Sequence, residues 1–489
     1  MSGYRVIFAT AIRGGDGDGR LQGRRRRTIS LITQGHFRFA IATPLVLVLA
    51  GAVVLYGQPA QAAAGPAQPV VITLADAIRR AEASEPAYAA ARAASQSASL
   101  DRSIARAGLL PNARFLGQGI YTQPNGIYAE GGEGVISPDP KFVANDSRPR
   151  EYIAQGIVDE TLGLAGPAAV RRADAAAAMA RAQLEIARRG LAAAVTTLFY
   201  GSLAADHKVA IAESAYKDAA EFTALTAERE KMREAAHADV IKARLTEQQQ
   251  WRGLEDAKLA GATARLNLGV LLFADPTTPY TLKADEAVAP LAPFADVEAA
   301  AARNNPELKS ALASLGMSDA DVLGARAALL PTVGLNVTYG IDANEFAVNG
   351  PMTPDGLQAR NLGYSASLTV NLPVWDWLST EHKVKQSEIR RDAARVVLTA
   401  TQRELIAQLQ EAYSEAQTAR DELASLDASV ADAAESLHLT RLRYAGGEAL
   451  VLEVVDAQNT YVTAENTRED GRVRYQAALA NLQTLTGTM

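Results

Sequence analysis

Glu453 and Asp456 stand three residues apart just beyond Gly446 and Gly447, a spacing that puts two carboxylates on one face of a helix. Where copies of such a helix meet around an axis, the carboxylates form a ring that attracts cations and repels itself as the passage narrows. A plain solvated helix face is the competing reading. Other side chains with chemistry to offer are sparse. The five histidines, His36, His207, His237, His382 and His438, show neither HExxH nor paired-ligand spacing. Cysteine is absent, which removes disulfides, thiolate metal sites, thiol nucleophiles and a lipid-modified N-terminal cysteine. Neither GxSxG nor GxxxxGK[ST] occurs, so no enzyme, cofactor or resident metal is expected. A net charge of −6 leaves no basic footprint, which argues against nucleic acid as a partner.

The elements that position these acids are long helices. Between Pro373 and Gly446 there is neither Gly nor Pro, and apolar residues step by four and three from Leu405 through Ala412, Ala419, Leu426 and Ala433 to Leu437. The spacing predicts a rod over Ser379–Tyr444 of about 100 Å, at about 1.5 Å per residue. A similar rod is expected over Ala168–Arg233, interrupted at Gly190 and Gly201. Each rod turns back into a second helix, over Ala236–Leu272 and Ala449–Leu485. The turns, Arg233, Glu234 and Ala235 in one hairpin and Gly446, Gly447 and Glu448 in the other, are hairpin tips, where glycine supplies positive φ cheaply.

A second texture has period two. "YSASLTVNL" from Tyr364 and "VGLNVTY" from Val333 alternate apolar with small polar residues without error, as strands do. "ARFLGQGIY" from Ala113 and "EYIAQGIVD" from Glu151 alternate less cleanly, because of Arg114 and glycines. An apolar outer face on a strand of about nine to eleven residues suits a membrane span; a sheet covering a soluble core would look the same. Four strands cannot close a barrel with a bore, and an open edge in lipid leaves backbone groups unpaired. Three copies supply about twelve strands, enough for a water-filled lumen. The loops at about 123–150 and 342–361 are rich in Gly, Pro and Asp and are assigned to the outer rim.

The chain says all this twice. "ARAGLLPNA" from Ala105 returns as "ARAALLPTV" from Ala325, and "ADVIKAR" at Ala238 meets "LEVVDAQ" at Leu452. The domain reading is a first repeat over 63–290 and a second over 291–489, each a helix, two strands and a long helical hairpin. Before them, "RRRR" at Arg24, the apolar run from Pro44 to Tyr56 and "AQA" at Ala60 have the order of a secretory signal, assigned to 1–62.

This order of elements, with "RYAGGEALVLEVVDAQNTYVTAENT" from Arg443 to Thr467, resembles the TolC-like outer membrane efflux proteins. The resemblance implies a mainly α fold with a membrane β-barrel: long hairpins forming a periplasmic α-barrel continuous with a trimeric twelve-stranded barrel in the outer membrane. It also implies passive export from an inner membrane pump through a periplasmic adaptor, in a tripartite efflux or type I secretion system. Glu453 and Asp456 fall on the family's paired gate acids, and Tyr444 on its tip tyrosine, which bonds a neighbouring helix in the closed state. Asp239 falls on the acid that accepts latch contacts. The tip residues Arg233 to Ala235 and Gly446 to Glu448 fall where the family meets its adaptor. Ala449 replaces the family's latch arginine and Arg233 its first tip glycine, so an acid ring is expected without that particular salt bridge, and Arg233 is a candidate for another latch. A periplasmic coiled-coil adaptor or scaffold is the alternative.

Overall fold

The structure is a computed structural model that describes residues 70–121, 127–128, 134–135, 150–283 and 290–487. The leader at 1–62 and most of the rim loop at 123–150 lie outside these residues. The first half runs β1 (Val70–Ile72), α1 (Leu74–Ser84), α2 (Pro86–Ala107), β2 (Asn112–Tyr121), the short β3 (Ile127–Tyr128) and β4 (Gly134–Val135), β5 (Arg150–Leu162), α3 (Ala165–Lys231) and α4 (His237–Leu272). The second half runs β6 (Tyr280–Leu282), α5 (Phe294–Asn304), α6 (Pro306–Ala327), β7 (Thr332–Ala343), the short β8 (Asn349–Met352) and β9 (Gln358–Arg360), β10 (Leu362–Asn371), α7 (Ser379–Ala445) and α8 (Val451–Thr486). The described chain is mostly helical, and the same types of element follow one another in both halves.

The rods match in length: α3 and α7 each have 67 residues, and α4 and α8 each have 36. Gly190 and Gly201 do not interrupt α3, contrary to the expectation. A Cβ at either would meet nothing within 4 Å, so these glycines weaken the helix by about 1 kcal/mol each without breaking it. The heptad seam of α7 turns inward, with Leu405, Leu409, Ala416, Ala419, Val430, Ala433 and Leu437 buried. The small alanines in it allow the close helix approach that leaves few voids. Shorter helices are set by local chemistry. Pro86 and Pro306 open α2 and α6, where a missing N–H costs nothing, and the Asn305 side chain accepts from Leu308 N at 2.8 Å.

One four-stranded antiparallel sheet, in the order β10-β7-β5-β2, joins the halves through β5 and β7. Its register sorts the side chains by face. Tyr364 pairs with Tyr339, Ala366 with Val337, Leu368 with Leu335 and Val370 with Val333, all on one face, while Ser365 with Thr338 and Ser367 with Asn336 share the other. Arg114, which blurs the pattern of β2 in sequence, lies opposite Ile157 on the polar face and pairs with Asp159 at 3.3 Å. Glu160, opposite Leu335, and Arg150, opposite Tyr121, are the charged residues of β5 on the apolar face. No described element covers that face: Tyr364 is 84% exposed, Phe115 75% and Leu368 70%.

The helices lie side by side in the same sense as the strands. Next to the sheet the neighbours run α2, α3, α6, α7, and toward the tips α4, α3, α8, α7. One flank of the chain is therefore edged by β2, α2 and α4, and the other by β10 and α7, at every level. Apolar side chains stand exposed along both, with Leu100, Ile104 and Leu259 on the first and Ile389, Val396 and Val397 on the second.

Candidate functional site: the tips of the paired hairpins

The two hairpin tips share a backbone. In the first, Met232 N–H bonds Glu228 O and Glu234 N–H bonds Arg229 O; in the second, Gly446 N–H bonds Leu442 O and Glu448 N–H bonds Arg443 O. This is a helix end closed by a left-handed residue. Gly447 fills that position at φ 79, and Arg233 fills it in the first tip at φ 64. Gly446, by contrast, is right-handed at φ −77, so only one of the two glycines uses its freedom. Arg233 thus accepts a conformation that costs a side-chain-bearing residue about 1 kcal/mol. Arg233, Glu234, Gly446, Gly447 and Glu448 are exposed, and Ala235 is half-buried.

After each tip an acid in the first turn of the next helix reaches back. Asp239 accepts from Ala236 N–H at 3.3 Å in α4, and Glu453 accepts from Leu450 N–H at 3.1 Å in α8. Both carboxylates therefore cap a helix N-terminus, satisfying a donor left over there. Glu453 also takes Arg443 Nη1 at 3.3 Å. Asp456, one turn on, is exposed on α8. Of the two acids on this face, Asp456 is the one whose carboxylate is not engaged in closing its own hairpin.

Tyr444 is buried, packed with Phe222, Ala243, Val451, Val454 and Val455 in a small core drawn from all four long helices. Ala449, where an arginine would sit by resemblance, packs against this core. The Tyr444 hydroxyl lies 3.2 Å from Thr226 Oγ1 on α3, so it does bond a neighbouring helix, while the Asp239 carboxylate is turned to its own cap. Over the Tyr444 ring, 4.7 Å from its centre, lies the Arg229 guanidinium. Arg229 donates through Nη1 to Tyr444 O and through Nη2 to Ala445 O, both at 2.6 Å. One turn of α7 earlier, Arg441 bonds Asp218 of α3 at 2.9 Å. Arg229 thereby ties the first hairpin to the C-terminal carbonyls of α7, where the helix dipole favours a cation. Sequence reasoning missed Arg229. It occupies the same place in the first tip as Arg443 in the second, which marks it, but Arg443 bonds within its own hairpin, so the partner could not be read from the repeat.

Farther along the rods, Glu469 of α8 is buried with His207 Nδ1 of α3 at 2.8 Å, Arg468 at 3.2 Å and Arg472 at 3.3 Å. Burial pushes its carboxyl up, but the His207 hydrogen bond and the two arginine charges outweigh this and hold it below the usual carboxylate range. Among the described residues no group of three or more metal-ligating side chains comes together. No described helix is long and apolar enough to cross a membrane.

Residues 299–488 match the model of the family described as Outer membrane efflux protein. The second half of the chain is thus similar to that family. Protein CyaE of Bordetella pertussis is 27% identical over 309 residues, 59% of this chain and 62% of that protein. Outer membrane protein TolC of Vibrio cholerae is 30% identical over 182 residues, 36% of this chain and 39% of that protein. The matched stretches thus span less than two thirds of these relatives. The fold is similar to the crystal structure of the Campylobacter jejuni CmeC outer membrane channel, with a TM-score of 0.69 at 15% identity over 85% of both chains. The family match covers the second hairpin and its tip, where Tyr444, Glu453 and Asp456 lie.

Proposed function

We propose that three copies of this chain form the exit duct of a tripartite efflux or type I secretion system in the outer membrane. The duct conducts its substrate passively outward from an inner membrane pump and a periplasmic adaptor. The observation that carries this reading is the agreement of the open edges. A strand edge in lipid has no water to satisfy it. Here β2 and β10 leave such edges on the same two flanks where the helices stop, with apolar side chains exposed along both. Joining β10 of one copy to β2 of the next keeps every pair antiparallel. Two copies would give an eight-stranded barrel filled by side chains, whereas three give twelve strands and a water-filled lumen lined by the polar face.

In that assembly the long helices extend the bore into the periplasm and the tips close it. Asp456 supplies the acid ring. The Arg229 contacts hold α7 against α3 in the closed state, and opening swings the α7–α8 hairpin away from them. Exposed Arg233, Glu234, Gly447 and Glu448 meet the adaptor. No residue is asked to do covalent chemistry.

The reading is tested by light scattering of the detergent-extracted protein from fractionated cells, and by its conductance in planar bilayers. It expects a trimer from the outer membrane that forms discrete pores. A periplasmic monomer without conductance would overturn it in favour of an adaptor or scaffold.

A further inference from the structure

The two strand-to-rod connections differ although the elements they join correspond. Between β5 and α3 there are two residues, Gly163 and Leu164; between β10 and α7 there are seven, from Leu372 to Leu378. The extra residues bring in Val374, Trp375 and Trp377, which are 86%, 69% and 83% exposed. Trp375 and Trp377 meet edge to face with ring centres 5.8 Å apart. Trp377 and Leu378 are both left-handed, at φ 57 and φ 61, a conformation that residues with side chains seldom take. Between the indoles, Asp376 turns the other way: its carboxylate accepts from the N–H of Thr380 at 2.8 Å and from its hydroxyl, which keeps it ionised at the start of α7. The backbone is thus held in an uncommon shape that anchors the helix on one side and turns two indoles outward.

We infer that Trp375 and Trp377 are an interfacial anchor seated at the headgroup level of the bilayer leaflet nearer the helical rods. This rests on the reading of the sheet as part of a membrane pore. The apolar face of β10 runs without a break, through Leu368, Val370 and Leu372, into Val374 and the two indoles, all exposed. At the same end of the sheet, Leu110 and Leu330 precede β2 and β7 and Leu164 follows β5, again exposed. Below that level α7 begins with Ser379, Thr380, Glu381, His382 and Lys383, which are residues for water. An indole has an apolar ring and one N–H donor, so it is most stable at such a boundary, and a pair of them fixes the depth of the barrel. The first half lacks the device, so each copy contributes one anchor.

Trp251, on α4, is the third and last tryptophan of the chain. In full-length Trp251→Phe, emission therefore reports Trp375 and Trp377 alone. The variant is reconstituted in phosphatidylcholine vesicles spin-labelled at the headgroup, high on the acyl chain, or near the chain end. The expected result is a large loss of emission with the first two labels and a small loss with the third. Strongest loss with the chain-end label, loss only to an aqueous quencher, or no loss to any of them would overturn the inference; the last would mean that a neighbouring copy buries the indoles. Conductance of the same vesicles separates the two readings. Pores without lipid quenching sink the anchor alone, whereas no pores and no insertion sink the duct as well.

Discussion

Arg229 has partners that move together, the ring and carbonyl of Tyr444 and the carbonyl of Ala445, so it acts as one tie between α3 and α7. Its two charged hydrogen bonds and the stacked cation are worth about 2 kcal/mol or more at this half-buried position. If the tie holds the tip closed, Arg229→Ala raises the basal single-channel conductance and the leak of large solutes, while trimer yield stays as in the unmodified protein. Arg229→Lys keeps the charge but lacks the planar fork that reaches two carbonyls, so an intermediate conductance is expected. Unchanged conductance in both variants would show that the contact only packs the tip. Glu453 and Asp239, by contrast, are occupied with their own helix N-termini, so in the proposed gate the acid ring falls to Asp456.

At the scale of elements, the two halves are joined in the sheet by the antiparallel pairing of β5 with β7. A Cβ on Gly340 would lie 2.2 Å from Ala154 O and 2.6 Å from Gln155 Cα, contacts with backbone that cannot step aside. Gly363, its partner across β10, has nothing within 4 Å. Gly340→Val is therefore expected to cost about 2 kcal/mol or more and to lower the yield of assembled pores, while Gly363→Val leaves it near normal; heat-stability on gels and conductance read both. Equal yields would mean that the β5–β7 register is looser than described. This asymmetry could not be read in the sequence, where both are glycines in alternating runs. What could be read was anything carried by period. The seam from Leu405 to Leu437 and the alternation from Tyr364 to Leu372 each express one repeated physical demand, burial of one face. Arg114 misled because one charge in a short strand looks like an error until its register puts it beside Asp159. The tip was legible as a place, from Gly447 and the acids that follow. Its wiring was not, because Arg229 and Tyr444 are 215 residues apart and only the packing of two hairpins brings them together.

For the whole molecule, the account turns on its flanks. The chain places β2, α2 and α4 on one and β10 and α7 on the other, and the proposed function follows only if copies of the same chain join them in a closed ring of three. Because the sequence has no cysteine, introduced thiols report this contact without background. The most direct measurement pairs Phe115→Cys on β2 with a cysteine placed in turn at Tyr364, Ala366 or Leu368 of β10, all of them exposed, and oxidises the protein in isolated outer membranes. The account predicts that the pair in register yields covalent dimers and trimers, nothing larger, and that each single-cysteine variant yields no such ladder. Monomers alone from every pair, or a ladder that continues past three chains, would contradict it.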